Sequence, residues 1–496
     1  MSTMFIALVV FIALVPSIHA QEILTPEDVV RRALQSDPAI RQTAIQTGRA
    51  QDEYDLALRQ TRPELELELR PYTRDQRVPP GAPGTPTERV TESLGLGLQL
   101  RQRVPTSGVL SAGIDFSAER ITSGDTEEWR QIPEVSLSLM QPLMGGDQFI
   151  GTRVFQSTLR VQEIGFELAQ LRNRQTRNQT IHESLELFVR VRDLRNSRDL
   201  LEETIAVLER QIQSAELDRQ QGLITSTAVL ALQVALNTQR DNLFNTELQL
   251  TRQEQVLARS VGLPSITDVM LADQLPENLV FHDHTAQTTT ELLAAIQNNP
   301  RVHTSGLVVE QAERRQVINS AADRPAVALF ARARPTYEEG GQAARTTTSE
   351  AFQDLFTDGS RVESTIGVTV TIPLLTGRQR ELRQRIDQQQ VEEAGIQRDD
   401  TEQILANQLR TLLTSRQFLL QRLELLEADL ELQRQRTENE RTLVEAGVST
   451  DLRLSEVQLD LRSRINEERR VMGELFLNTL EIFSVIGEDL ALLLGM

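Results

Sequence analysis

The chain has no cysteine and no lysine. The first absence excludes disulfides, thiol chemistry and a lipid-modified N-terminal cysteine. The second leaves all 52 basic residues as arginine, which reads as codon-usage bias, because no arginine cluster suggests phosphate recognition. Aromatic residues are only 4% of the 496-residue chain. Gln, Arg, Glu and Leu fill long stretches instead, a composition of long helices and coiled coils rather than of several compact cores. A basic surface is missing too: the net charge is −19, which argues against nucleic acid as a partner. After the first twenty residues, no run approaches the ~18–20 apolar residues of a membrane helix.

What is present begins with "MSTMFIALVVFIALVPSIHA", an apolar run followed by Pro16 and a short segment ending in Ala20. It reads as a secretory signal peptide, residues 1–20, cleaved before Gln21 with Ile18 and Ala20 near the cut. The alternative is an uncleaved membrane anchor. Helical periodicity then gives two length classes. Residues 147–221 and 377–446 are very long; 25–61, 226–259, 288–323 and 450–486 are about half as long. Steps of three and four, as in Leu419, Leu423, Leu426 and Leu430, mark a coiled-coil seam. The chain also repeats itself. Asp37-Pro38 recurs as Asn299-Pro300 and "RPEL" at 62–65 as "RPAV" at 324–327. "QPLMGG" at 141–146 recurs as "IPLLTG" at 372–377, and the glycine turn at Gly222 as that at Gly447. Each half therefore reads short helix, strand region, long helix, turn, short helix, a duplication rather than a solenoid. The first repeat spans 21–264, a linker 265–287, and the second repeat 288–496.

The strand regions lie within 62–142 and 324–374. In "RPELELELRP" a strand puts Leu65, Leu67 and Leu69 on one face and Glu64, Glu66 and Glu68 on the other, which must be wet. The same alternation runs through Leu94–Leu100, 110–116, 135–139, 327–331 and 366–372. Strands of ~9–11 residues with one apolar face fit a transmembrane barrel wall; a soluble sandwich shows the same pattern. An exported chain with few strands between very long helices favours a barrel shared by several chains, with the leucines facing lipid. "VPTSG" (104–108) is a tight turn suited to the periplasmic side, whereas 73–91, 121–131 and 336–361 read as long outer loops. The first strand region is 31 residues longer than the second (offsets 262 − 231), room for an added hairpin at 92–121.

The combination resembles the TolC family of outer-membrane efflux proteins over nearly the whole mature chain. The residues that carry it are Asp37-Pro38 and Asn299-Pro300, then Arg62-Pro63 and Arg324-Pro325 at strand entry. At strand exit they are Gln141-Pro142-Leu143 with Gly145-Gly146, and Pro373-Leu374-Leu375 with Gly377. The hairpin turns at Gly222 and Gly447 and the Gly262-Leu263-Pro264 end of the first half complete the set. The resemblance implies a homotrimer in the bacterial outer membrane, one shared β-barrel continuing into an α-helical periplasmic tunnel. Its function would be an exit duct served by a periplasmic adaptor and an inner-membrane pump, with no enzyme activity and no cofactor. The family's usual protomer gives four strands; here the added hairpin favours six, or four if it folds over the barrel mouth. The family's acidic aperture residues, counted from Gly447, fall on Arg453 and Glu456, with Asp451 beside them; the arginine departs from the pattern. Ser226 and Ser449-Thr450-Asp451 are available as helix caps after the two turns. "HDH" at 282–284 and "SGDTEE" at 123–128 lack the spacing of metal sites and read as loops. The alternative function is a soluble periplasmic coiled-coil adaptor or rod, which should carry a single helical hairpin rather than a strand–helix unit twice. The cargo is not written in the sequence.

Overall fold

The structure is a computed structural model describing residues 23–495, except 61, 78–88, 105, 107, 124, 145–150, 268, 277–288, 323–324, 338–359 and 373–376. The expected signal segment lies outside the described residues, as do the HDH run, Gly145-Gly146, Arg324 and Pro373-Leu374-Leu375. The chain divides into two compact units, and neither is a sequence repeat. One comprises Ile45–Leu171 and Arg301–Thr401; the other comprises Met1–Ala44, Arg172–Pro300 and Glu402–Met496.

The first unit holds a six-stranded sheet. Its strands are β2 (Glu64–Arg77), β3 (Arg89–Arg103), β4 (Val109–Ser123), β5 (Thr126–Met144), β7 (Ala326–Tyr337) and β8 (Ser360–Thr371), while β1 (Ile23–Leu24) and β6 (Met270–Leu271) belong to the other unit. They pair antiparallel in the order β2-β3-β4-β5-β7-β8, which leaves β2 and β8 as edges. The added hairpin lies within the sheet, β3 and β4 standing between β2 and β5, so six strands are present among the described residues. One face is a continuous apolar surface left exposed, with Leu67, Leu96, Leu98, Ile114, Leu137 and Val368 among its residues. A single ladder row, Arg74–Glu92–Arg120–Trp129, ends it on the hairpin side, where the Arg120 guanidinium lies 5.5 Å from the Trp129 ring centre.

The sheet corrects the reading of 121–131 as a long loop. β4 runs to Ser123 and β5 restarts at Thr126, so the hairpin is tight. Backbone hydrogen bonds carry the strands on after alternation fades, because neither face there is uniformly apolar. At the opposite end the Val104 amide donates to the Gly108 carbonyl (2.9 Å), and Gln141 pins the turn through Thr106.

Helices in this unit cross-link one another. α2 (Pro38–Arg59) stacks Tyr54 on Phe166 of α3 (Gly151–Gln220), ring centres 6.5 Å apart. Arg160 of α3 makes two parallel bonds, 2.9 and 3.0 Å, to Glu310. That residue lies on Pro300–Ala322, the sixth α-helix, α6. The guanidinium holds the Glu310 carboxyl below the usual range.

In the second unit, β1 (Ile23–Leu24) pairs parallel with β6 (Met270–Leu271). α1 (Pro26–Ser36), α4 (Ser226–Ser260) and α5 (Thr289–Ala295) join the rest of α3. The remainder of α7 (Gly377–Glu445), with α8 (Asp451–Ile486) and α9 (Leu490–Leu493), completes it. α3 and α7, of 70 and 69 residues, are each roughly 105 Å long at 1.5 Å per residue.

The expected single helices 25–61 and 288–323 are each broken at the proline. Pro38 and Pro300 lack an amide hydrogen and push the preceding residue out of the helical region; Asp37 and Asn299 are extended, with ψ of 120° and 131°. Both are secured from other helices: Thr180 donates to the Asp37 carboxylate (2.7 Å), and the Asn299 amide donates to the Val485 carbonyl (2.7 Å). The duplication recurs in the helix ends. Gly262 and Gly487 both have left-handed backbone, φ 69° and 89°. A Cβ on Gly262 would meet Ser36, and one on Gly487 would meet Asn298.

Candidate functional site

Two groups of residues stood out in the sequence, and the structure places them in different units. The first surrounds the helical turns. α3 ends with Gly222 at φ 76° and the Leu223 amide bonded back to Asp218 (2.9 Å); α7 ends with Gly447 at φ 70° and Val448 bonded back to Leu443 (2.9 Å). This six-to-one closure needs a left-handed residue, which glycine supplies without a Cβ penalty. The cap differs from expectation only after the first turn. Thr225 caps α4, with Ser226 already helical, and Thr450 caps α8, accepting from the Arg453 amide (3.2 Å). Asp451 is the first helical residue, where its charge favours the helix dipole, and Ser449 donates to Glu440.

Arg453 and Glu456 meet. The Arg453 guanidinium donates to one Glu456 oxygen at 2.6 Å, and Gln211 of α3 donates to the other at 2.5 Å. Arg210 adds a 3.3 Å bond to Ser455. Beside the carboxylate, the Arg453 guanidinium is held in its charged form above its ordinary pKa. Glu456 is thus a paired carboxylate that ties the start of α8 to the end of α3. Gln211 and Arg210 carry no sequence signal, being 245 residues away from their partners.

The second group is the polar face of the sheet. Glu64, Glu66 and Glu68 lie there, opposite the leucines, with Gly97 facing Glu68 across the ladder. Glu64 and Glu66 make no ion pair among the described residues, whereas Arg70 lies 3.7 Å from Glu68 and 2.5 Å from Asp115. Arg334 pairs with Glu134 at 2.8 Å. A Cβ on Gly97 would stand 2.6 Å from the Asp115 carboxylate, so this glycine makes the room in which the Arg70–Asp115 pair forms. Among the described residues, no three His, Asp or Glu side chains are grouped to hold a metal ion, and no helix is long and apolar enough to cross a membrane.

Residues 292–487 match the family described as outer membrane efflux protein. Over that segment the chain is similar to outer membrane efflux proteins. Solved structures share the fold of this chain at low identity. The outer membrane protein VceC of Vibrio cholerae is 15% identical with a TM-score of 0.59, over 94% of this chain and 96% of that one. The CmeC outer membrane channel of Campylobacter jejuni is 13% identical (TM-score 0.61, 93% and 85% covered). The open MtrE outer membrane channel of Neisseria gonorrhoeae is also 13% identical (TM-score 0.61, 94% and 89% covered). No curated protein sequence matches the chain. The family matched over residues 292–487 consists of channel proteins.

Proposed function

We propose that three copies of the chain close one barrel of eighteen strands, six from each, and that this barrel is the exit duct for substrates driven by an inner-membrane pump through a periplasmic adaptor. The observation that carries this reading is the open sheet. Its apolar face is exposed and, among the described residues, the outer sides of its edge strands have no partner, a combination that neither water nor lipid tolerates in a lone chain. In a closed barrel the leucines face lipid and Glu64, Glu66 and Glu68 face an aqueous lumen, and eighteen strands leave an open channel. Arg453, Glu456 and Asp451, beside the turns at Gly222 and Gly447, form the periplasmic aperture in this reading, where three-fold symmetry triples any inward charge. A soluble adaptor or rod has no use for such a sheet. Outer-membrane fractionation followed by sizing in detergent tests the proposal: a trimer is expected, and a monomer released by osmotic shock would overturn it.

A further inference from the structure

Resting on the trimeric reading, we infer the register of the seam between copies: β8 of one subunit pairs antiparallel with β2 of the next so that Val368 stands opposite Leu67 of the partner subunit. The argument follows one ladder row through the sheet. Leu65 on β2 leads through Leu100, Ala112, Leu137 and Ala333 to Ser364 on β8. Leu65 is the first leucine of its strand's apolar run, counted from the helix end. Ser364 is not at the corresponding end of its own run, because Ile366, Val368 and Val370 follow on the same face, 56–77% exposed. The apolar belt therefore slides along the strands from β2 to β8. Such sliding is what strand tilt imposes on a closed barrel.

Closure limits the size of the slide. The shift from one copy to the next must be even, since an odd one turns the lipid face inward. With ~3.4 Å per residue and ~4.8 Å between strands, shifts of four, six or eight residues over six strands give tilts of roughly 25°, 35° and 43°. Membrane barrels tilt by roughly 35–45°, which removes four. A shift of eight would set the partner's Leu65 against Ile372, beyond the end of β8 at Thr371. A shift of six sets Leu65, Leu67 and Leu69 of the partner subunit against Val370, Val368 and Ile366, all within the strand. On the lumenal side it places the partner's Glu66 beside Thr369 and the partner's Glu68 beside Gly367, which the Phe330 ring covers. Each acidic strip then lies on a seam and is completed by hydroxyls of the neighbouring copy.

The chain has no cysteine, so engineered thiols report without background. The double variant L67C/V368C, oxidised in outer membranes or treated with a short bis-methanethiosulfonate, should give crosslinked dimers and trimers on denaturing gels. L69C/I366C, on the same register, should do likewise, while L67C/V362C and L67C/I372C should crosslink at least several-fold less. Each single-cysteine variant should still size as a trimer in detergent, showing that assembly survives the change. Strongest crosslinking of L67C to V370C or to I366C, or none at V368C in a trimer, overturns the register and leaves the duct reading standing. A monomer in detergent overturns both.

Discussion

Gly222 and Gly487 share a left-handed backbone but not a reason for being immovable. Around Gly222 there is open space, and only its φ of 76° resists a side chain. At Gly487 a Cβ would also stand 2.7 Å from the Asn298 carbonyl oxygen and 2.8 Å from the Asn299 Cα, backbone that cannot step aside. Gly222→Ala should therefore cost about 1–2 kcal/mol, the ordinary left-handed penalty, and Gly487→Ala clearly more; thermal melts of the purified trimers would rank them. The pairing of Glu456 sharpens what its removal should do. Glu456→Gln takes away a charge already shared with Arg453, so cation preference in planar bilayers should fall, while Arg453→Glu should raise it by removing the compensating charge. Wild-type selectivity and resting conductance in both variants would make them ordinary surface residues. Glu456 enters through the family resemblance, whose acidic positions are counted from the turn at Gly447. Gln211 was not legible, because nothing local announces a contact between distant helices.

Among the elements, the strands were legible wherever one face is apolar. Leu94–Leu100 betrays β3 at once, and the glycines between say that its other face is crowded. The expectation failed at 121–131, where the same hydrogen-bonded ladder continues without alternation, since pattern reports burial and not pairing. It failed again at Asp37-Pro38 and Asn299-Pro300. There the apolar period runs through a break that the proline enforces and that a hydroxyl of α3 and a backbone carbonyl of α8 secure. The two faces of β3 give a paired test. Leu96→Arg places a cation on the lipid face and should impair folding by ~2–4 kcal/mol at mid-membrane. Gly97→Arg, on the polar face, should displace the Asp115–Arg70 pair and change conductance while the trimer persists. Equal tolerance of both by detergent sizing and bilayer recording would mean that the hairpin does not span the membrane.

At the scale of the whole molecule, the repeat arithmetic leads to the expectation of a duplication, and Gly262 and Gly487 end α4 and α8 with the same left-handed backbone. The repeat boundaries do not delimit compact bodies, because each unit takes strands or helices from both halves. A duplication preserves local chemistry, whereas compactness follows from which faces find partners. Of the six strands, β2, β5, β7 and β8 lead to or from helices, while β3 and β4 connect only to their sheet neighbours. The hairpin is thus a cassette whose removal leaves its flanking strands antiparallel and every helix untouched. On the trimeric reading, replacing residues 78–125 with a short loop should give a trimer of lower single-channel conductance. The circumference of the pore and the helices that no strand of the hairpin touches are then separate inheritable traits, and a lineage can widen its exit without altering a single helix.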